Sequence, residues 1–93
     1  MTEPRPEHET REHRLKRMRM RSMRRGIKEM DIILSRFAEA DLSRLSAREL
    51  DLYDDLLSEN DHDLYQWVAG RSAPPQAFCD LIERIARRGT AAN

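Results

Sequence analysis

Apolar residues in the middle of this chain recur every three or four positions, and that spacing constrains the fold more than any other feature. One such series runs at intervals of three, four and three through Ile27, Met30, Leu34 and Phe37. This is the period of an α-helix with one buried face. It predicts a helix that begins at Gly26 or Ile27 and ends near Ala40. No segment shows the two-residue alternation of a β-strand.

A second helical segment carries its own start signal. Ser46 and Glu49 have the S-x-x-E spacing of a capping box, in which each side chain accepts a hydrogen bond from the other residue's backbone N–H. This pattern predicts a helix from Ala47 to about Ser58. Its predicted buried residues are Leu50, Leu52, Tyr53, Leu56 and Leu57, and its predicted exposed residues are Asp51, Asp54, Asp55 and Glu59.

Three further helices are predicted from shorter patterns. The first covers residues 10–24 and is basic, with a thin apolar stripe of Leu15, Met18 and Met23 from which Met20 points away. The next follows a cap at Asn60 or Asp61, stops at Gly70 and turns inward Leu64, Trp67 and Val68. The last has Pro75 in its first turn and Gly89 at its end, and it buries Phe78, Leu81, Ile82 and Ile85.

These segments together predict an all-α fold, a small single-domain bundle of four to five short helices. The helical domain is expected to span residues 11–89. A disordered arm of residues 1–10 and a disordered tail of residues 90–93 are expected on either side. A chain of 93 residues has room for one hydrophobic core. The solution state is predicted to be a monomer.

The cysteine, histidine and carboxylate residues, which form catalytic and metal sites in other proteins, do not predict such a site in this chain. Cys79 is the single cysteine and lies on an apolar helical pattern, so it is predicted to be a small buried side chain. His8, His13 and His62 lie among charged residues, and solvent exposure is expected for all three. No Cys and His spacing suits a metal, and no carboxylate pair indicates acid–base catalysis. The chain is predicted not to be an enzyme.

The sequence does not predict a membrane-directed protein. Its apolar runs are far shorter than the roughly 20 residues of a spanning helix. The basic N-terminal region contains Glu3, Glu7, Glu9 and Glu12, whereas a mitochondrial transit peptide is poor in acidic residues. A single cysteine suits a reducing compartment. A cytoplasmic location is therefore expected.

The charges are segregated although they sum to zero. Residues 1–28 hold ten Lys and Arg against four Glu, and residues 29–63 hold three Arg against eleven acidic residues. The basic segment is compatible with a nucleic-acid site that neutralises phosphates. The balanced net charge, the absence of aromatic residues in that segment and the absence of a helix-turn-helix signature disfavour this. An acidic protein partner, or the acidic middle of the chain itself, would explain the same charges.

Gly26 lies where the basic segment meets the apolar helical pattern, and two interpretations of it stay open. In one, the glycine allows a positive φ or close helix packing, and its neighbours are solvated charges. In the other, it lets the backbone of another protein approach. Arg25 and Glu29 would then be paired contacts, since they share a face if the helix continues through Gly26. Asp31 would cap, pair locally or touch that partner from another angle.

The stretch RRGIKEMD at residues 24–31 resembles the R-G-x-x-E-x-D signature of the succinate dehydrogenase assembly factor 2 family, whose bacterial members are called SdhE. Later features are similar in their order along the chain, namely LSRFA, LSARELDLYDDLL, DHDLYQW and APPQAF. The resemblance covers roughly residues 14–88. The fold of that family is a small all-α bundle, in agreement with the periodicity.

The resemblance implies a binding protein rather than a catalyst. Members of the family are FAD assembly factors, or flavinators. They bind the flavoprotein subunit of succinate dehydrogenase, and in some bacteria of fumarate reductase, and promote covalent attachment of FAD to a histidine of that subunit. The FAD belongs to the partner, so no stably bound cofactor is expected here. Carried onto this sequence, the signature places partner contacts at Arg25, Gly26 and Glu29, with Asp31 beside them. A nucleic-acid-binding or regulatory module built on the basic helix, and an antitoxin-like interaction protein, are the alternatives.

Overall fold

A computed structural model describes residues 9–90, and within that range the chain has five α-helices and no β-strand. The helices are α1 (Arg11–Ser22), α2 (Lys28–Asp41), α3 (Ala47–Leu57), α4 (Asp61–Val68) and α5 (Cys79–Thr90). Short 3₁₀ turns precede α3 at Leu42–Arg44 and α5 at Gln76–Phe78. The prediction of an all-α bundle is confirmed. The predicted disorder at residues 1–8 and 91–93 lies outside the described residues.

The helix α2 is the one around which the bundle packs, since it contacts α1, α4 and α5. The predicted apolar stripe of α2 is buried, with Met30, Leu34 and Phe37 fully enclosed. The Phe37 ring packs against the Tyr53 ring of α3 at a centroid distance of 5.4 Å. The remaining core comes from the other helices and the turns, chiefly Met18, Leu42, Leu50, Leu56, Leu64, Phe78, Leu81 and Ile85.

Three helices begin at side-chain caps. The Thr10 hydroxyl accepts a hydrogen bond from the backbone N–H of His13 at 3.1 Å, so this residue of the predicted arm starts α1. The capping box of Ser46 and Glu49 is present at the start of α3. The hydrogen bond from the Ser46 backbone N–H lowers the pKa of the Glu49 carboxyl. Asn60 caps α4, and Gly70 follows that helix with a φ of 74°. The predicted starts of α3 and α4 and the stop after α4 are confirmed.

Arginines on one face of α1 attach that helix to α3 and the chain around it. We call this set the arginine row; its spacing of three, three, four and four continues into the loop after α1, and its members are Arg11, Arg14, Arg17, Arg21 and Arg25. Arg11 donates to the carbonyl oxygens of Ser43 and Leu45, at 3.0 and 2.7 Å. Arg14 pairs with Asp51. The acidic middle of the chain thus neutralises part of the basic segment within the fold.

Asp54 is the centre of this attachment, and the prediction that it is exposed is wrong. Its side chain is 3% exposed because Arg17 and Arg21 cover its carboxylate. Arg17 donates to the two carboxylate oxygens at 3.1 and 2.9 Å, and Arg21 donates to one of them. Arg17 also donates to both oxygens of Glu9, at 2.7 and 3.0 Å. This contact lowers the pKa of the Glu9 carboxyl and brings another residue of the predicted arm into the fold.

The apolar edge of α1 differs from the predicted one at its end. Met23 is 50% exposed because α1 stops one residue earlier. Ser22 takes the buried position instead and donates to the Met18 carbonyl oxygen at 2.8 Å. The Tyr53 hydroxyl therefore donates to the Ser22 oxygen, 2.5 Å away. Burial raises the pKa of Tyr53 to about 12, so this phenol remains a donor at neutral pH.

The start of α5 also differs from prediction. Pro75 is followed by the 3₁₀ turn, and the α-helix begins only at Cys79. The turn directs Phe78 into the core and leaves Cys79 exposed, with its sulfur 3.7 Å from the Pro75 carbonyl oxygen. The prediction that Cys79 is buried is wrong, because the regular helical period from which it came does not extend across the 3₁₀ turn.

Gly89 does not stop α5, which continues to Thr90, so its predicted role as a stop is wrong. Gly89 instead allows α5 to approach α2. A Cβ atom at this position would lie 2.6 Å from Cγ2 of Ile33, closer than van der Waals contact permits. The glycine is therefore a packing residue of the α2–α5 contact.

Replacing Asp54 with alanine is expected to lower the free energy of unfolding by about 3 kcal/mol, because the half-buried guanidinium groups of Arg17 and Arg21 lose the buried carboxylate that they share. The exposed Glu39→Ala on α2 is the control and should change it by less than about 0.5 kcal/mol. Urea unfolding followed by circular dichroism measures both. Equal unfolding midpoints for the two variants would show that the ion pairs on Asp54 do not hold α1 in place.

Replacing Gly89 with alanine is expected to destabilise the fold by about 1 kcal/mol or more, because the new methyl overlaps Ile33. This is opposite to the effect of alanine on an unconstrained helix, which it stabilises by about 1 kcal/mol over glycine. A double-mutant cycle with Ile33→Ala tests the cause. The penalty should vanish in the Ile33→Ala background, and a penalty that persists there would exclude the overlap as its origin.

Candidate functional site

The signature residues lie in and just after the loop between α1 and α2, at residues 23–27. The left-handed backbone conformation in this loop falls on Arg24, with a φ of 56°, and not on Gly26. The Arg24 backbone N–H donates to the Asp31 carboxylate at 3.0 Å. Asp31 thus pairs locally and ties the loop to the first turn of α2. The interpretation that Gly26 provides a positive φ is wrong.

Arg25 is a largely enclosed charged residue of the signature, with 11% of its side chain exposed. Its guanidinium donates to the carbonyl oxygens of Arg21 and Leu57, at 2.7 and 3.0 Å. It also pairs with Asp61, the first residue of α4. The interpretation of Arg25 as a solvated charge is therefore wrong. The loop also ends before α2 begins at Lys28, so Arg25 and Glu29 do not share a helix face.

Gly26 is exposed, and its backbone N–H donates to Asp61 at 2.7 Å. A Cβ atom on Gly26 would lie 3.2 Å from the same carboxylate oxygen. The glycine therefore gives Asp61 close access to the loop backbone. Because the residue is exposed, the same lack of a side chain leaves the outer side of the loop open to a partner.

Glu29 lies on the first turn of α2 at the rim of an open groove between α2 and α4. The groove has a volume of about 230 Å³. Its other lining residues are apolar or aromatic: Ile32, Ile33, Tyr65, Val68 and Ala69. Ile32 is 43% exposed and belongs to the few large apolar side chains on the surface. A carboxylate beside an exposed apolar groove is an arrangement that protein interfaces use.

The residues Tyr65 and Trp67, which lie together in the stretch DHDLYQW, have different roles. Trp67 is half-buried and packs against the Phe78 ring at a centroid distance of 6.2 Å, so it stabilises the core. Tyr65 forms one side of the groove, and the guanidinium of Arg71 lies 5.6 Å from its ring centroid. Sequence reasoning did not identify Ile32 or Tyr65 as site residues. The sequence does contain one indication for Ile32, which is a large apolar residue of α2 outside the predicted buried stripe.

The basic segment divides into cations bound within the fold and cations that point outward. The arginine row is hydrogen-bonded to α3 and its flanking chain. Lys16, Arg19, Arg24 and Lys28 are exposed. His13 and His62 are exposed, as predicted, whereas His8 lies outside the described residues.

Residues 9–90 contain no cluster of His, Cys, Asp and Glu able to hold a metal ion. No described helix combines the length and the apolar character that crossing a membrane requires.

A comparison with protein-family models matches residues 16–89 to the family described as flavinator of succinate dehydrogenase. This chain belongs to the flavinator family. The match includes the loop at residues 23–27 and both walls of the groove, so the site described above lies wholly within the family domain. The family resemblance of the sequence is confirmed.

Curated relatives of this flavinator chain come from fungi and bacteria. It is 51% identical over 60 residues to "Succinate dehydrogenase assembly factor 2, mitochondrial" of Meyerozyma guilliermondii, covering 64% of this chain and 44% of the relative. It is 34% identical over 62 residues to "FAD assembly factor SdhE" of Legionella pneumophila, covering 67% of this chain and 78% of the relative. The Schizosaccharomyces pombe assembly factor is 38% identical over 71 residues, covering 76% of this chain and 51% of the relative. The matched region thus spans about half the length of these two fungal relatives.

Proposed function

We propose that this chain is an assembly factor that binds the flavoprotein subunit of succinate dehydrogenase and promotes covalent attachment of FAD to that subunit. Its membership of the flavinator family carries the proposal. The groove beside Glu29 supplies a surface of suitable chemistry. In this proposal the FAD and its acceptor histidine belong to the partner, and this chain neither binds FAD stably nor acts as an enzyme. Fumarate reductase is a second candidate partner, and the chain acts as a monomer.

The groove is suited to bind an apolar side chain of the partner that has a hydrogen-bond donor beside it. Ile32, Tyr65 and Val68 offer apolar contact area, and Glu29 is the charged group on the rim. A donor on the partner would form a charge-assisted hydrogen bond with Glu29. Gly26 allows the partner's backbone to approach the loop beside it. The predicted contacts Gly26 and Glu29 are therefore both accessible, whereas Arg25 faces inward.

Docking can promote flavin attachment without chemistry from this chain. The reaction needs the acceptor histidine of the partner and the flavin ring held together in reacting geometry. A protein that binds the corresponding conformation of the subunit more tightly than its other conformations raises the population of that conformation.

The cytoplasmic location expected from the sequence stays a prediction. The fungal relatives are named as mitochondrial.

The nucleic-acid alternative receives less support from the fold. The arginine row uses five cations of the basic segment in contacts with α3, the chain around it and α4. Their hydrogen-bond donors are directed into the protein, so fewer cations remain to neutralise phosphates. The basic helix α1 (Arg11–Ser22) also contains no Phe, Tyr or Trp residue that could stack on a base.

Replacing Glu29 with alanine is expected to abolish stimulated flavinylation while leaving the fold intact, because Glu29 is exposed. The assay is in-gel flavin fluorescence of the denatured apo flavoprotein subunit after incubation with FAD, with and without this protein. Glu39→Ala, an exposed carboxylate on the same helix but outside the groove, is the control and should stimulate normally. Normal stimulation by the Glu29 variant would remove Glu29 from the site, and no stimulation by the unmodified chain would contradict the proposed function.

Replacing Ile32 with serine is expected to raise the concentration of this protein that gives half-maximal stimulation about tenfold, because an interface apolar anchor is lost. Met20→Ser is the matched control. Met20 is 66% exposed on α1 and does not line the groove, so its loss should have little effect. Titration of each variant into the flavinylation assay gives the two concentrations. Equal values would exclude the groove as the docking surface.

A further inference from the structure

The carboxylate of Asp61 binds two residues of the signature, Arg25 and Gly26, in the loop at residues 23–27. One carboxylate oxygen accepts a hydrogen bond from Nε of Arg25 at 2.8 Å and forms an ion pair with Nη2 of the same guanidinium at 2.7 Å. The other oxygen accepts from the Gly26 backbone N–H at 2.7 Å. Two consecutive signature residues therefore bind one side chain that lies 35 positions away in the sequence.

The location of Asp61 connects the two walls of the groove. Asp61 is the first residue of α4, the helix that carries Tyr65 and Val68. Gly26 lies three positions before Glu29 on the opposite wall. The contact between Asp61 and Gly26 thus fixes the start of one wall against the start of the other.

Arg25 also holds the loop at residues 23–27 against the start of α4, through contacts on the inner side of the loop. Its Nη1 donates to the Arg21 carbonyl oxygen and its Nη2 to the Leu57 carbonyl oxygen, in addition to the pair with Asp61. These bonds join the end of α1, the end of α3 and the start of α4 at one guanidinium. With 11% of its side chain exposed, Arg25 has few donors to offer a partner. A planar guanidinium can make these contacts together, whereas a lysine ammonium cannot.

We propose that Asp61 is a positioning residue for docking. It holds Gly26 and Arg25 so that the loop backbone and Glu29 face the partner beside the groove. Arg25 acts with it as a positioning residue and does not contact the partner. The inference rests on the proposed function for its effect on flavinylation, but its structural part concerns the free protein alone.

The first test is hydrogen exchange at the Gly26 amide of the free protein, measured by NMR. A backbone N–H bound to a carboxylate is protected from exchange, and protection is lost when the acceptor is removed. Asp61→Ala should increase the exchange rate of the Gly26 amide about tenfold or more. Asp63→Ala is the control, since Asp63 is an exposed carboxylate in the same first turn of α4. Equal Gly26 exchange rates in the two variants would overturn the proposal.

The second test is the flavinylation titration with the same two variants. Asp61→Ala should raise the half-saturating concentration about tenfold relative to Asp63→Ala, with the maximal stimulated rate restored at saturation. Asp61→Asn keeps an oxygen for the Gly26 N–H and loses only the charge, so it should fall between them. Thermal unfolding of each variant shows whether it is folded at the assay temperature, because a loss of folded protein could give the same order of half-saturating concentrations.

The outcomes separate the inference from the proposed function. Half-saturating concentrations that are equal for the Asp61 and Asp63 variants would overturn the positioning role, even if the Gly26 amide exchanges faster. Failure of the unmodified chain to stimulate flavinylation would contradict the proposed function instead. The exchange measurement on the free protein would still test the contact of Asp61 with the loop.

Discussion

The ionic attachment of α1 to α3 is the interaction on which the candidate site depends. Arg17 and Arg21 enclose the carboxylate of Asp54, and Arg25 continues the same row at the end of α1. This attachment fixes the last turn of α1 against α3, next to the loop at residues 23–27.

The loop illustrates how a short signature can combine structural and interaction roles. Asp31 binds the Arg24 backbone, and Arg25 binds three separate parts of the chain. Glu29, by contrast, is exposed beside an apolar groove. The charged residues of the signature therefore divide into those that form the loop and one that is available to a partner. The same division accounts for Gly26 between Arg25 and Glu29. The carboxylate of Asp61 on one side of the loop and, in the proposed complex, the backbone of the partner on the other side both need space at this position.

The sequence was sufficient to predict the helices whose period and caps are local properties. The stripe of α2 and the capping box of Ser46 required only spacing along the chain. The burial of Asp54 and the pairing of Arg25 with Asp61 were not predictable in this way, because the paired residues lie more than 30 positions apart. Charge segregation was compatible with mutual neutralisation of the basic and acidic segments, but it did not identify the pairs. The groove was missed because Ile32 and Tyr65 come from different helices.

Arg24 and Gly26 differ in backbone conformation, since only Arg24 has a positive φ. This difference predicts that different kinds of substitution are tolerated at the two positions. Position 24 adopts the left-handed conformation, so selection there would act on the dihedral angles and admit glycine or asparagine readily. Position 26 has no such conformation, and its limit is the volume next to Asp61. Selection there would act on side-chain size. A glycine retained throughout the family at position 26 would thus be explained by the short distance to the Asp61 carboxylate. The positive φ of the turn lies two residues earlier, at Arg24.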